Sequence, residues 1–175
     1  MLSSLTDPGC NDDVNGSEEW LQRNLASFSI FATLSELKNM NDNFSAGAVI
    51  DLLTIQQKAQ LILDPGSGAL ENVTLVKGLL TNLTQSGDVG QLTQFFQAFA
   101  QVNKQMNTTF IKNTAVRDTI LNLTLTALAP EFETFEPLDF ELWFQQYLPP
   151  VLASFQPDSL RVIPINISCA SYTAM

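Results

Sequence analysis

Histidine is absent from all 175 residues, and with it the commonest general base and metal ligand. Catalytic triads of the serine or cysteine type therefore cannot be assembled from this chain. Positive charge is scarce as well: eight Lys and Arg stand against 18 Asp and Glu, for a net charge of −10 and a pI near 4.1. Nucleic-acid binding rests on clustered Lys and Arg that neutralise phosphates, and it is excluded on that ground. Anionic membrane surfaces are disfavoured for the same reason. No apolar run approaches the roughly 18 residues of a membrane span, so no direct membrane insertion is expected. Met1 to Cys10 is too short and polar for a secretory signal, which places any targeting signal outside this sequence. An alternating strand pattern is missing throughout. Charged residues of both signs reach only 15%, against about 25% on ordinary globular chains, so something other than charge must keep the protein in solution.

What fills the polar positions is Asn, Gln, Ser and Thr. Seven Asn-x-Ser/Thr acceptors occur, at Asn15, Asn43, Asn72, Asn82, Asn107, Asn122 and Asn166. Thirteen Asn and 28 Ser plus Thr among 175 residues would give about two such sequons by random placement. The excess predicts a heavily N-glycosylated, extracellular chain, secreted or part of a cell-surface ectodomain. The stretch Ile165-Asn166-Ile167-Ser168-Cys169 places a sequon beside a cysteine with one possible intrachain partner, Cys10. In an oxidising compartment these two pair, closing a loop worth roughly 5 kcal/mol in the chain-entropy model; the alternative is two buried free thiols. Hydrophobic content of 45% and a length of one domain predict a single module over 1–175 with a real core.

Along the chain, Met1 to Thr6, stopped by Asp7-Pro8-Gly9, reads as the tail of a preceding helix spanning 1–9. Ser17 is a candidate N-cap with Glu18 and Glu19 in the first turn. Trp20, Leu21, Leu25, Phe28 and Phe31 then form an apolar face at helical spacing. Thr33-Leu-Ser-Glu36 and Thr54-Ile-Gln-Gln57 are capping boxes, with Ser45 capping a short helix between them. Asp64-Pro65-Gly66-Ser67-Gly68 is a turn. Val73, Val76, Leu79, Leu80 and Leu83 predict one helix, and Asp88 caps the next, with Leu92, Phe95, Phe96, Phe99 and Val102 inside. Asn113 or Thr114 starts a helix ended by Pro130. Pro137 opens an aromatic-rich helix that Pro149-Pro150 ends. Pro157 starts a short helix running to Val162, and Ser168 caps a helix that begins at Cys169 and occupies 169–175. About nine short helices with brief connections predict an all-α stack of helix pairs without significant sheet, of the armadillo or HEAT-like superhelical kind. The helix fragments at both ends predict one repeat cut from a longer tandem array.

Candidate sites of other kinds are few. Glu131 with Glu133, and Asp139 with Glu141, are carboxylate pairs in positions where solvated carboxylates are ordinary. Pro65-Gly66-Ser67-Gly68 lacks the Gly-Lys-Ser/Thr ending of a phosphate loop. Asn11, Asp13 and Asn15, with Gly16 at the bend, match the first half of a calcium loop. The second half fails, because its twelfth position is Gln22, and a sugar on Asn15 would remove that ligand. Calcium is therefore not expected, and neither is any other cofactor. A ligand-recognition domain working through exposed aromatics such as Trp143 and Tyr147, assisted by calcium, is the competing reading.

Trp20-Leu21, Phe31-Ala32-Thr33-Leu34-Ser35-Glu36-Leu37, Asn43-Phe44-Ser45, Asp51-Leu52-Leu53-Thr54-Ile55-Gln56-Gln57 and Ile167-Ser168-Cys169-Ala170-Ser171-Tyr172 follow one another in an order that covers most of the chain. This order resembles repeat units of mesothelin-, stereocilin- and otoancorin-like extracellular proteins, particularly large multi-repeat fish forms. The resemblance implies a superhelical, glycosylated ectodomain concerned with adhesion or matrix attachment, and it carries no catalytic residues. The expected function is a non-catalytic structural repeat. Its expected partners are copies of itself or adjacent repeats, stacked end to end as a filament or matrix component, together with other extracellular or surface glycoproteins.

Overall fold

Helix starts written into the sequence set the architecture. The computed structural model describes residues 16–85, 87, 89–106 and 110–175, and among them the chain is all-α without a strand. The α-helices are α1 (Ser17–Asn24), α2 (Leu34–Met40), α3 (Ile55–Leu63), α4 (Val73–Thr84), α5 (Val89–Met106), α6 (Thr114–Leu128), α7 (Pro137–Glu141) and α8 (Cys169–Ala174). Tighter 3₁₀ turns cover Ala26–Phe31, Ala46–Leu52, Leu152–Ser154 and Pro157–Val162, while a π-helical segment, Leu142–Tyr147, continues α7.

Both Thr capping boxes form. Thr33 Oγ1 accepts from the Glu36 N–H at 3.2 Å while the Glu36 carboxylate accepts from the Thr33 N–H at 2.8 Å. Thr54 and Gln57 make the same exchange at 3.1 and 2.9 Å. Asn72 caps α4, Asn113 caps α6 and Ser168 caps α8, each accepting from the N–H three residues on. Pro137 occupies the first turn of α7, where its missing N–H costs nothing.

Other starts differ from expectation. Ser17 does not cap α1; Gly16 holds that position with φ of 96°, and the Ser17 hydroxyl accepts instead from the Ser45 N–H at 2.8 Å. Ser45 makes no side-chain cap bond to the turn that follows it. The first apolar face also breaks early. α1 stops at Asn24, Ala26 takes a positive φ of 45°, and the chain enters a 3₁₀ turn that buries none of its side chains.

Packing follows a regular skip. α3 lies on α5, and α5 on the 142–147 segment. In a second row, the 46–52 turns lie on α4, α4 on α6, and α6 on the 152–154 and 157–162 turns. Neighbouring helices also meet where α4 touches α5 and α5 touches α6. Gly47 permits the close approach of 46–52 to α4, since a Cβ there would meet Leu75 Cδ1 at 3.1 Å. Between the rows runs one apolar core, whose largest fully buried members include Trp20, Phe95, Phe96, Phe99, Phe132 and Phe140. Aromatic edges lock it: Phe96 meets Phe95 and Trp143 edge-on, each with centroids 5.3 Å apart.

Two polar side chains of α3, Gln57 buried and Gln60 half-buried, reach back to the preceding elements. The Gln57 amide donates to the carbonyls of Ser29 and Ala32 at 2.8 and 2.7 Å while its oxygen accepts from the Thr54 N–H, so both of its donors and one acceptor position are used. One turn on, the Gln60 oxygen accepts from the Leu34 N–H at 3.2 Å, satisfying an orphan donor of α2.

Candidate interaction surfaces

Five of the seven acceptor asparagines lie among the described residues. Asn43 and Asn166 sit in exposed connections, Asn72 is exposed at the start of α4, and Asn122 is exposed on α6. Asn82, on α4, is different. It is half-buried, and its amide bridges two charges: the Lys58 ammonium donates to its oxygen at 2.6 Å, and its nitrogen donates to Asp51 at 2.6 Å. Burial pushes the Lys58 ammonium below its ordinary value, against the pull of Asp51. The outward orientation that a sugar requires is thus present at Asn122 and compromised at Asn82. Asn15 and Asn107 lie outside the described residues, as do Cys10, the calcium-loop residues Asn11 and Asp13, and Leu2 and Leu5. Cys169 is exposed at the first position of α8.

The aromatic recognition site expected at Trp143 and Tyr147 does not form. Both side chains are buried, Trp143 packs edge-on to Phe96, and Tyr147 packs edge-on to Trp143 with centroids 5.3 Å apart. They are core because the π-helical segment turns them inward against α5. Burial raises the Tyr147 hydroxyl above its ordinary value. The expected carboxylate pairs act locally: Asp139 accepts from the Glu136 N–H at 2.9 Å, capping α7, while Glu133 and Glu141 are exposed. Among the described residues no group of three His, Cys, Asp or Glu could hold a metal ion, and no helix is long and apolar enough to cross a membrane.

What the surface does offer is apolar and unpaired. On the first layer, Phe28 and Phe31 are 66% and 72% exposed, with Ile30 beside them in the same turn. On the last layer, Leu138 of α7 and Tyr172 of α8 are 76% and 68% exposed, and Ile165 is fully exposed. Met175, which follows α8, is half-buried. Helical spacing places Phe28 and Phe31 on one apolar face with Trp20, Leu21 and Leu25, and nothing local in the sequence marks them as surface residues.

One polar groove of about 440 Å³ runs between α6 and the turns after it, lined by Arg117, Asp118, Asn122, Gln156 and Asp158 among others. Arg117 is a staple in its wall, donating to the Ser154 hydroxyl at 2.7 Å and the Ile111 carbonyl at 2.8 Å. No family model, curated protein or solved structure matches the chain.

Proposed function

We propose that this chain is a non-catalytic, N-glycosylated helical repeat of an extracellular protein, working as a structural and adhesion module that stacks end to end with its neighbours. The single observation that carries the reading is the pairing of skip-one helix packing with exposed apolar side chains on its first and last layers. Solenoids bury such faces against the next repeat. Head-to-tail contacts of this kind are heterologous and extend into filaments unless the geometry closes a ring. Supporting the extracellular setting are the excess of sequons over chance, the four exposed acceptors Asn43, Asn72, Asn122 and Asn166, and Cys169 at the surface with Cys10 as its intended disulfide partner. The reading takes the chain as a superhelical repeat of the mesothelin-, stereocilin- and otoancorin-like kind, without a cofactor.

Sedimentation velocity tests it. The chain is expected to self-associate with rising concentration, and Phe28→Ser with Phe31→Ser to remove the end-to-end species. A strictly monomeric chain at every concentration would overturn end-to-end stacking.

A further inference from the structure

The outer face of α5 carries a second, chemically different surface. Gln91, Gln94, Gln97, Gln101 and Gln105 are all exposed, and at 100° per residue they fall within one arc of about 120° along the helix. Surface helix positions ordinarily mix Gln with charged Glu, Lys and Arg. Here the exposed charge on the helix is Lys104 alone, and no carboxylate occurs from Val89 to Arg117. On a chain of net charge −10, such a face is where two copies approach with least mutual repulsion. The described sequons within helices or at their caps lie on α4 and α6, and none lies within α3, α5 or α7; Asn107, which follows the end of α5 in sequence, lies outside the described residues.

We propose that this glutamine face is a lateral docking surface for the same face of a second copy. A two-fold contact requires a surface that complements itself. A carboxamide meets that condition, since each presents both a donor pair and an acceptor, whereas a face of one charge sign repels its copy. The proposal goes beyond end-to-end stacking, because it concerns the side of the stack and not its ends. Its size sets its strength. An 18-residue helix is about 27 Å long, so one face buries a few hundred Å² per partner, below the roughly 800 Å² of a stable interface. A single pair is therefore weak, with a Kd on the order of 1 mM, and the contact gains its effect when tandem repeats present many such faces at once.

Sedimentation equilibrium on the full glycosylated chain, carried up to millimolar concentration, tests this with two variants. Gln94→Glu with Gln97→Glu and Gln101→Glu places carboxylates across the axis of the contact, and Phe28→Ser with Phe31→Ser removes the end patch. The expected result is at least tenfold weaker association for the glutamate variant at low salt, partly recovered in high salt as the repulsion is screened. Lateral association should survive in the end-patch variant. If the glutamate variant associates like the parent chain while the end-patch variant does not, the lateral surface is refuted and end-to-end stacking stands. If only the glutamate variant loses association, stacking fails and the lateral surface stands. A parent chain monomeric at millimolar concentration refutes both.

Discussion

Single side chains decide whether the layers hold together, and Gln57 is the clearest case. Its amide answers one N–H and two carbonyls across the step from the 26–31 turn to α3. Gln57→Ala leaves these buried groups without partners and is expected to cost about 2–4 kcal/mol in urea unfolding. Gln57→Glu keeps the cap but faces the carbonyls of Ser29 and Ala32 with a carboxylate, and should destabilise at least as much at neutral pH. At Asn82 the bridge between Lys58 and Asp51 competes with the sequon that contains it. Glycopeptide mapping is expected to find Asn82 bare while Asn43, Asn72, Asn122 and Asn166 carry sugar. Two carboxylates give the chain an acid dependence. The Thr33 N–H and hydroxyl hold Glu36 below its ordinary 4.5, and for Asp64 the Lys38 ammonium and Gly66 N–H outweigh an opposing push from burial to hold it below 3.8. Both contribute stability that is fully present above those ordinary values and is lost as pH falls through the lowered ones. Urea midpoints measured from pH 6 to pH 2 should fall through this window, and Lys38→Met should lessen the part due to Asp64.

At the level of elements, sequence signals that work within one turn proved readable and those that depend on distant partners did not. The Thr33 and Thr54 boxes, the Asn72 and Ser168 caps and the Pro137 start are all local exchanges between residues three apart, and all form. The inner faces of α4, α5 and α6 follow from 3.6-residue periodicity in the same way. Ser17 was misread because its hydroxyl serves a residue 28 positions away. The continuation of α1 into Phe28 and Phe31 failed at Ala26, whose positive φ no residue type there announces. Trp143 and Tyr147 were open between recognition and core until α5 covered them. α5 carries the densest part of that core, with Phe95, Phe96 and Phe99 within 6 Å of one another by ring centroid. Phe96→Ala removes a fully buried ring that also supports Trp143, and should cost about 3–5 kcal/mol. The tryptophan emission of the folded variant should shift to the red as Trp143 loses that wall.

For the whole molecule, the governing fact is a broad apolar core under a thin complement of charge, with large apolar side chains left exposed: Phe28, Phe31, Leu138 and Tyr172, and also Leu52, Phe110 and Leu160. On the proposed end-to-end stacking, the exposed Phe28, Phe31, Leu138 and Tyr172 are what a neighbouring repeat would cover. On the proposed reading, carbohydrate on the α4 and α6 acceptors would supply the solubility that charge does not. All of this presumes maturation in the secretory pathway, so the most direct test is intact mass of the chain from a secretory host, before and after enzymatic deglycosylation and then reduction. The account predicts a loss of several glycan masses, followed by a gain of about two hydrogen masses as the single Cys10 to Cys169 disulfide opens. An unchanged mass at both steps, with two titratable thiols in the untreated protein, would contradict it.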